Sequence, residues 1–197
     1  MSVGTFLGII ALMFVLELPD KTMIATVVMS TRARPSSIVA GASSAFVAQM
    51  AIATAAGSLI TLLPGRAREA VVAALFLAGA GYLLFVPEKA EEQEGEREGA
   101  AERSGTRRRE IATAFTVIFV GEFGDLTQIQ AANLSARTHE PLDVFFASSI
   151  ALIAISVLGA YGGRVLLRRV PLRAVRLLGG LVFAVLGVLS AISAVRG

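Results

Sequence analysis

The sequence predicts an all-α integral membrane protein with six transmembrane helices, arranged as two inverted three-helix repeats. Two observations carry this prediction: the apolar residues gather into long blocks, and the second half of the chain repeats landmarks of the first. Of the 197 residues, 55% are hydrophobic, and a helix needs about 20 predominantly apolar residues to cross a bilayer. Six blocks reach that length: residues 3–30, 37–63, 67–86, 111–135, 142–167 and 172–195. They leave no room for a soluble catalytic domain, so we expect no enzyme activity.

The internal repeat appears when the chain is shifted by 105 residues along itself. The coincident pairs are Glu17 with Glu122, Asp20 with Asp125, Thr22 with Thr127, and Gly57 with Gly162. Residues 1–86 and 110–197 are therefore predicted to be two repeats, joined by a charged linker at 87–109. Because each repeat has an odd number of helices, the second enters the membrane from the opposite side. Transporters use such inverted repeats, with the substrate site at the repeat interface.

The distribution of Lys and Arg predicts the orientation in the membrane. Thirteen of the 18 fall in the loops after helices one, three and five, and only four fall on the other side. The positive-inside rule places those three loops in the cytoplasm and both termini outside, in the cell (plasma) membrane. The linker at 87–109 mixes charges of both signs and has no apolar face, so we expect a disordered or weakly helical cytoplasmic tether.

Composition excludes several classes of site and partner. The chain has no cysteine and a single histidine, His139, which excludes disulfides, thiolate metal sites and a cage of several histidines. His139 is predicted to be exposed in an outer loop. The net charge of +3 reflects arginines at helix ends, so we expect no nucleic-acid partner. The lipid bilayer is the expected environment, no cofactor is expected, and the oligomeric state, including a homodimer, is left open.

The chemistry concentrates in two pairs of acids inside apolar blocks. Glu17 and Asp20, like Glu122 and Asp125, are three residues apart and share one helix face. Intramembrane ionisable residues are costly and indicate function. Four carboxylates beside one ammonium, that of Lys21, leave a formal charge of −3, which a divalent cation, protons or both must neutralise. Oxygen ligands favour calcium, manganese or magnesium, and competition between metal and protons for one coupled site is what antiport requires.

Other residues are secondary candidates for ligands. Pro19 frees the backbone carbonyl of Val15, which must then bind a cation, a water or a neighbouring hydroxyl. Gln49 and Gln128 could each offer a carbonyl oxygen, and the alternative for each is an interhelical hydrogen bond. We interpret Asn133 as a helix-end residue.

The two acidic motifs read "ELPDKT" at 17–22 and "EFGDLT" at 122–127. Two copies of E-x-G-D-[KR]-[ST] in a six-helix protein with a charged central loop resemble the Gdt-one family. That family is also called uncharacterised protein family sixteen, or the second calcium:cation antiporter family. The resemblance covers essentially the whole chain and implies export of manganese or calcium from the cytoplasm, coupled to proton entry. It implies six ligand positions here: Glu17, Asp20, Thr22, Glu122, Asp125 and Thr127.

The chain departs from that pattern twice. Pro19 stands where the family has glycine, and Leu126 stands where it has Lys or Arg, so the predicted site is more negative than the pattern implies. The sequence is also compatible in part with two other functions, a channel and a protease. A divalent-cation channel could also use the acidic site. The inverted repeat, however, favours an exchanger over a channel. An intramembrane aspartyl protease would need glycine two residues before Gly124, and Glu122 is there instead.

Overall fold

All the secondary structure in the described part of the chain is helical. The computed structural model describes residues 1–17, 21–85, 93, 96–97, 99–100, 105–166 and 172–196. Eight helices lie within these ranges: α1 (Val3–Glu17), α2 (Lys21–Ser30), α3 (Pro35–Ile60), α4 (Gly65–Phe85), α5 (Arg107–Gly121), α6 (Leu126–Thr138), α7 (Pro141–Leu166) and α8 (Leu172–Arg196).

Helices α3 and α7 are the two long apolar helices of the described part. Each has 26 residues and begins at a proline, which suits the first helical turn because proline has no N–H to leave unpaired. By length and composition both can cross a membrane, and the bent pair of α1 and α2 makes a third candidate span when it is counted as one. The fold is therefore that of an all-helical membrane protein, and the full set of six spans stays a prediction.

Two of the predicted spans are broken at the acidic motifs. Helix α1 ends at Glu17 and α2 begins at Lys21, with an angle of 69° between the two segments. Helix α5 ends at Gly121 and α6 begins at Leu126. Gly124, between them, has a φ of +86°, a conformation that glycine adopts without steric penalty. Pro19, which was predicted to break the first span, lies outside the described residues.

Each broken helix pair packs mainly on the long helix of the other half. Helices α1 and α2 contact α7, while α5 and α6 contact α3; α3 also contacts α7, and α4 packs along α8. Gly41 of α3 gives α5 room to approach, because a Cβ at Gly41 would lie 2.5 Å from the Ile111 carbonyl oxygen. The two halves therefore interlock, and neither could bury its long helix alone.

The charged linker is partly structured. Residues 93, 96–97 and 99–100 are helical, in line with the weakly helical tether that the sequence predicts. Gly99 packs on α2: a Cβ there would lie 2.6 Å from the Cβ of Val28. The Arg32 guanidinium donates a hydrogen bond of 3.2 Å to the Ala100 carbonyl. This part of the linker is thus docked on α2.

The start of α5 is tied to the start of α3 by a buried carboxylate. Glu110 is only 1% exposed, and its Oε2 lies 3.7 Å from Nη1 of Arg34. The Ser37 hydroxyl has the largest influence on the pKa of Glu110 and lowers it; the Gly105 backbone and the Arg34 guanidinium also lower it, against the effect of burial. The carboxylate form is therefore the one that the fold stabilises.

We expect Glu110→Gln to lower the melting temperature at neutral pH but not in acid. The folded pKa lies below the ordinary value of 4.5, so the stabilisation is fully present above pH 4.5 and disappears as the pH falls through the folded pKa. Thermal unfolding of both proteins in detergent across a pH series measures this. A difference in melting temperature that stays constant into acid would contradict the prediction.

Candidate functional site

The described residues of the acidic motifs lie at the two helix breaks, and the glutamates and threonines among them are buried. Glu17 ends α1 with 1% of its surface exposed, and Glu122 follows α5 with 2%. Thr22, in the first turn of α2, is 0% exposed, and Thr127, in the first turn of α6, is 5% exposed. Asp125 is the residue before α6 and is partly buried. Asp20, the sixth predicted ligand, lies outside the described residues.

One apolar cluster joins the two breaks. Leu16, next to Glu17, and Leu126, next to Asp125, both pack against it. The members of this cluster, which we call the α4–α8 cluster, come from α4, α6 and α8: Val72, Phe76, Ala80, Ala136 and Phe183. Helix α1 also contacts α6 directly. Residues next to Glu17 and next to Asp125 therefore pack against the same apolar cluster.

Gln49 caps the broken end of α5 from the neighbouring long helix. Its side chain is 1% exposed, and its Nε2 donates to the carbonyl oxygens of Ile118, at 3.2 Å, and Phe119, at 3.1 Å. The last carbonyls of a helix have no partner within the helix. The Ile118 carbonyl also accepts a hydrogen bond of 3.0 Å from the Glu122 N–H, and Gln49 supplies a donor for the Phe119 carbonyl. The interhelical hydrogen bond that was one reading of Gln49 is present, and coordination through its oxygen stays a prediction.

Gln128 closes the turn between α5 and α6. Its Nε2 donates to the Glu122 carbonyl oxygen, and its Oε1 accepts a hydrogen bond of 3.1 Å from the Gly124 N–H. The Asp125 N–H also donates to the Glu122 carbonyl, at 3.1 Å. Both ends of the Gln128 amide thus hold the backbone that carries Glu122 and Asp125. Its predicted role as a ligand is left as a prediction.

We expect Gln128→Leu to destabilise the protein by about 0.5–1.5 kcal/mol, because it removes the hydrogen bonds that the Gln128 amide makes with the Gly124 N–H and the Glu122 carbonyl. The melting temperature in detergent measures this effect. The matched control is Gln130→Leu, in which the lost amide is buried on the same helix and has no hydrogen-bond partner in the described structure. That change should leave the melting temperature unchanged or raise it, so equal losses in both variants would refute our explanation.

The structure also gives the positions of the other residues that the sequence analysis singled out. Val15 has a 42% exposed side chain, and the freeing of its carbonyl depends on Pro19, outside the described residues. Lys21 begins α2. His139 is exposed, as predicted, and ends α6 in a left-handed conformation with φ of 57°. The interpretation of Asn133 as a helix-end residue is wrong: it lies inside α6 and is 0% exposed.

The described residues do not by themselves form a complete metal centre. Within them, no three His, Cys, Asp or Glu side chains are grouped closely enough to hold a metal ion, and Asp20 is not among them. Glu17, Glu122 and Asp125 each have an interaction partner. The Thr22 hydroxyl, by contrast, is buried without a hydrogen-bond partner in the same ranges and is available to a ligand. The cluster of four acids therefore stays a prediction.

Residue-by-residue reading of the sequence missed one polar feature near the motif. Gln130 and Asn133 are both 0% exposed on α6, and none of their amide atoms has a hydrogen-bond partner among the described residues. The signal was available, since two carboxamides three residues apart in an apolar block share one helix face.

Comparison with known proteins places this chain in one family. The family model of the divalent cation/proton antiporter GDT1 matches residues 5–91 and 110–197. A GDT1-like protein of the cyanobacterium Synechocystis is 27% identical over 191 residues, covering 91% of this chain and 92% of its own. GDT1-like protein 3 of Arabidopsis thaliana is 26% identical over 193 residues, covering 88% of this chain and 65% of its own.

A shorter match links the chain to a fungal relative. A GDT1-like protein of Schizosaccharomyces pombe is 33% identical over 81 residues, which are 41% of this chain and 30% of its own. No solved structure matches the chain.

Proposed function

Because this chain belongs to the GDT1 family of divalent cation/proton antiporters, we propose that it exports Mn²⁺ or Ca²⁺ from the cytoplasm in exchange for protons. The family consists of transporters, so the chain is not an enzyme, and the reading as an aspartyl protease is excluded. Exchange of a divalent cation for protons is the coarse activity that the family establishes. The choice of metal and the direction of export are our proposals.

The observation that carries the proposal is the burial of Glu17 and Glu122 at two equivalent helix breaks. A carboxylate shielded from water is expensive unless protons, a cation or hydrogen bonds compensate its charge. An exchanger needs such a group because the same oxygens must bind the metal in one step and protons in another. We assign the cation to oxygen ligands at both breaks: Glu17, Asp20, Thr22, Glu122, Asp125 and Thr127.

An inverted repeat would supply the alternating access that exchange needs. Three features support six spans in two repeats: the equal lengths of α3 and α7, the two helix breaks at matching motifs, and the interlocked packing of the halves. The family model also matches a stretch in each half. Exchanging the roles of the halves would open the site to one face and then the other. We place the protein in the plasma membrane with the linker in the cytoplasm.

The substitution of Leu126 in the second motif bears on which ion is carried. Leu126 packs against the α4–α8 cluster, and its Cδ2 would lie 3.1 Å from a Cβ at Gly79. The Lys or Arg of the family pattern would therefore place its charge in apolar surroundings. Without a Lys or Arg side chain at this position, more of the negative charge of the carboxylates is left for the transported ions to neutralise. We infer that this variant of the site favours divalent over monovalent cations.

Gradient-driven flux tests the proposal. Proteoliposomes with an acidic lumen are diluted into neutral buffer containing Mn²⁺ or Ca²⁺, and cation uptake is followed with an entrapped indicator. An exchanger accumulates the cation above the external concentration while the lumen loses protons, and a protonophore with nigericin abolishes the accumulation. A channel would only equilibrate the cation. The absence of uptake of either ion, relative to protein-free vesicles, would refute the proposal.

A further inference from the structure

Two buried carboxamides on α6 are not explained by the acidic motifs. Gln130 and Asn133 are fully buried, and within the described ranges their oxygens and nitrogens have no hydrogen-bond partner. A carboxamide carries two donors and an acceptor oxygen, and leaving a buried polar group unpaired costs roughly 1–3 kcal/mol. Packing alone does not account for this pair, since leucine would fill the same space without that cost.

The pair belongs to the side of α6 that faces α4. On that side, Leu126 approaches Gly79, and the Arg137 guanidinium carbon lies 5.9 Å from the centre of the Phe76 ring. With 3.6 residues per turn, Gln130 and Asn133 fall in line between Leu126 and Arg137. The opposite side of α6 packs on α3, where a Cβ at Gly57 would lie 2.8 Å from the Cβ of Ser135.

The surface of α4 that α6 meets is apolar. Val72, Phe76 and Ala80 are its buried residues in the α4–α8 cluster, and Gly79 contributes no side chain. In this conformation, polar amides are therefore sealed against a surface that cannot bond to them. Polar groups in such a place become satisfied when the interface opens and admits water or an ion. Separation of α4 from α6 would thus give the two amides hydrogen-bond partners that they lack in the described structure.

The two amides also lie between Asp125 and the C-terminal end of α6. At 1.5 Å per residue, Gln130 and Asn133 are about 7 and 12 Å along α6 from Asp125, on the way to its end at Thr138. The equivalent positions on α2, 105 residues earlier, are Ala25 and Val28, which are apolar and covered by Gly99 of the linker. Only one half of the molecule carries the amides.

We propose that the α4-facing side of α6 lines the path of the divalent cation between the acidic residues of the two motifs and one membrane surface. The amide oxygens of Gln130 and Asn133 act as neutral ligands along this path. The inference rests on the proposed function. The cation crosses this side when α4 separates from α6. Uncharged oxygens hold a divalent cation less tightly than carboxylates do, and a permeation path needs sites weak enough to release the ion.

Thiol accessibility tests the path without depending on transport. The chain has no cysteine, so Asn133→Cys provides a single reactive thiol. Ala131→Cys is the matched control, because Ala131 is also 0% exposed but belongs to the core cluster around α3. Both variants are reconstituted in proteoliposomes and treated with a membrane-impermeant methanethiosulfonate reagent. The labelling rate is compared with and without Mn²⁺ under an imposed pH gradient. Minor conformations are commonly populated at about 0.1–10%, so Asn133→Cys should react at about that fraction of the rate of a free thiol.

The outcomes separate cleanly. Labelling of Asn133→Cys, protected by Mn²⁺ and absent from Ala131→Cys, supports the path; no labelling of Asn133→Cys, or equal labelling of both, overturns it. Labelling that Mn²⁺ does not slow also overturns it, since it indicates a route for water and protons only.

A second variant, Gln130→Leu with Asn133→Leu, should transport several-fold more slowly while its melting temperature is unchanged or higher. Wild-type transport rates in this double variant would overturn the inference. The absence of flux in the wild-type protein would instead refute the proposed function.

Discussion

Replacing Glu122 by glutamine is expected to abolish proton-coupled cation transport while the protein remains folded. Glutamine has nearly the same shape but cannot ionise, so it removes a charged ligand and a proton carrier together. Changing residues that only support a metal ligand commonly costs 10–100-fold in affinity or activity, so we expect loss of the ligand itself to slow transport by about 100-fold or more. Gradient-driven uptake of Mn²⁺ and Ca²⁺ in proteoliposomes measures the change.

Two further variants make this result interpretable. Glu17→Gln should be as damaging as Glu122→Gln, because Glu17 occupies the equivalent helix break of the other half. Glu110→Gln is the matched control, since Glu110 is as buried as Glu17 but lies at the start of α5, away from the breaks. It should transport normally at neutral pH. If Glu110→Gln is as inactive as Glu122→Gln, burial of any carboxylate matters and the assignment of the site fails.

Gly57→Ala is expected to lower the stability of the fold by about 1–3 kcal/mol or more, the usual effect of overpacking. Helix α3 crosses α6 at this glycine. A Cβ there would clash with the Ala132 carbonyl oxygen and lie 2.8 Å from the Ala132 Cα. These are backbone atoms, so a side-chain rotation cannot relieve the overlap. The yield of folded protein and the melting temperature in detergent measure the effect.

Gly162 is the matched control, because the sequence repeat places it on Gly57. A Cβ at Gly162 has no described atom within 4 Å, and alanine is favoured over glycine inside a helix by up to about 1 kcal/mol. Gly162→Ala should therefore be neutral or stabilising. Equal destabilisation by Gly57→Ala and Gly162→Ala would contradict the packing described above.

The helix bounds could largely be anticipated from the sequence. The prediction that Glu122 and Asp125 share one helix face is wrong, because the helix is broken from Gly121 to Leu126 and both residues lie within the break. Proline begins α3 and α7 near the predicted starts of their apolar blocks, and the ends of all the long helices fall within a few residues of the predicted ones. The break at the second motif follows from Gly124, because the turn there needs a positive φ. Helix starts and turns depend on residues that are close together in the chain, so the sequence shows them directly.

The partners of the polar side chains could not be anticipated in the same way. Gln49 and Gln128 have the same amide group, yet one crosses to the carbonyls of another helix and the other closes the turn beside it. Asn133 was interpreted as a helix end because asparagine is common there, and the fold buries it instead. The partners and the burial of these side chains depend on how the helices pack against one another. The spacing of residues in the sequence does not show which helices will be neighbours.

The sequence by itself determined the class of protein, the acidic motifs and the family, because apolar length, charge and spacing are properties of the chain read in order. Only the tertiary structure decided which equivalent positions differ. A Cβ at Gly57 would meet backbone atoms, whereas no described atom lies within 4 Å of a Cβ at Gly162. The complete burial of the Gln130 and Asn133 amides is likewise a property of the packed helices. The physical reason is that helix crossings join residues far apart in the chain, so two similar halves can meet different neighbours.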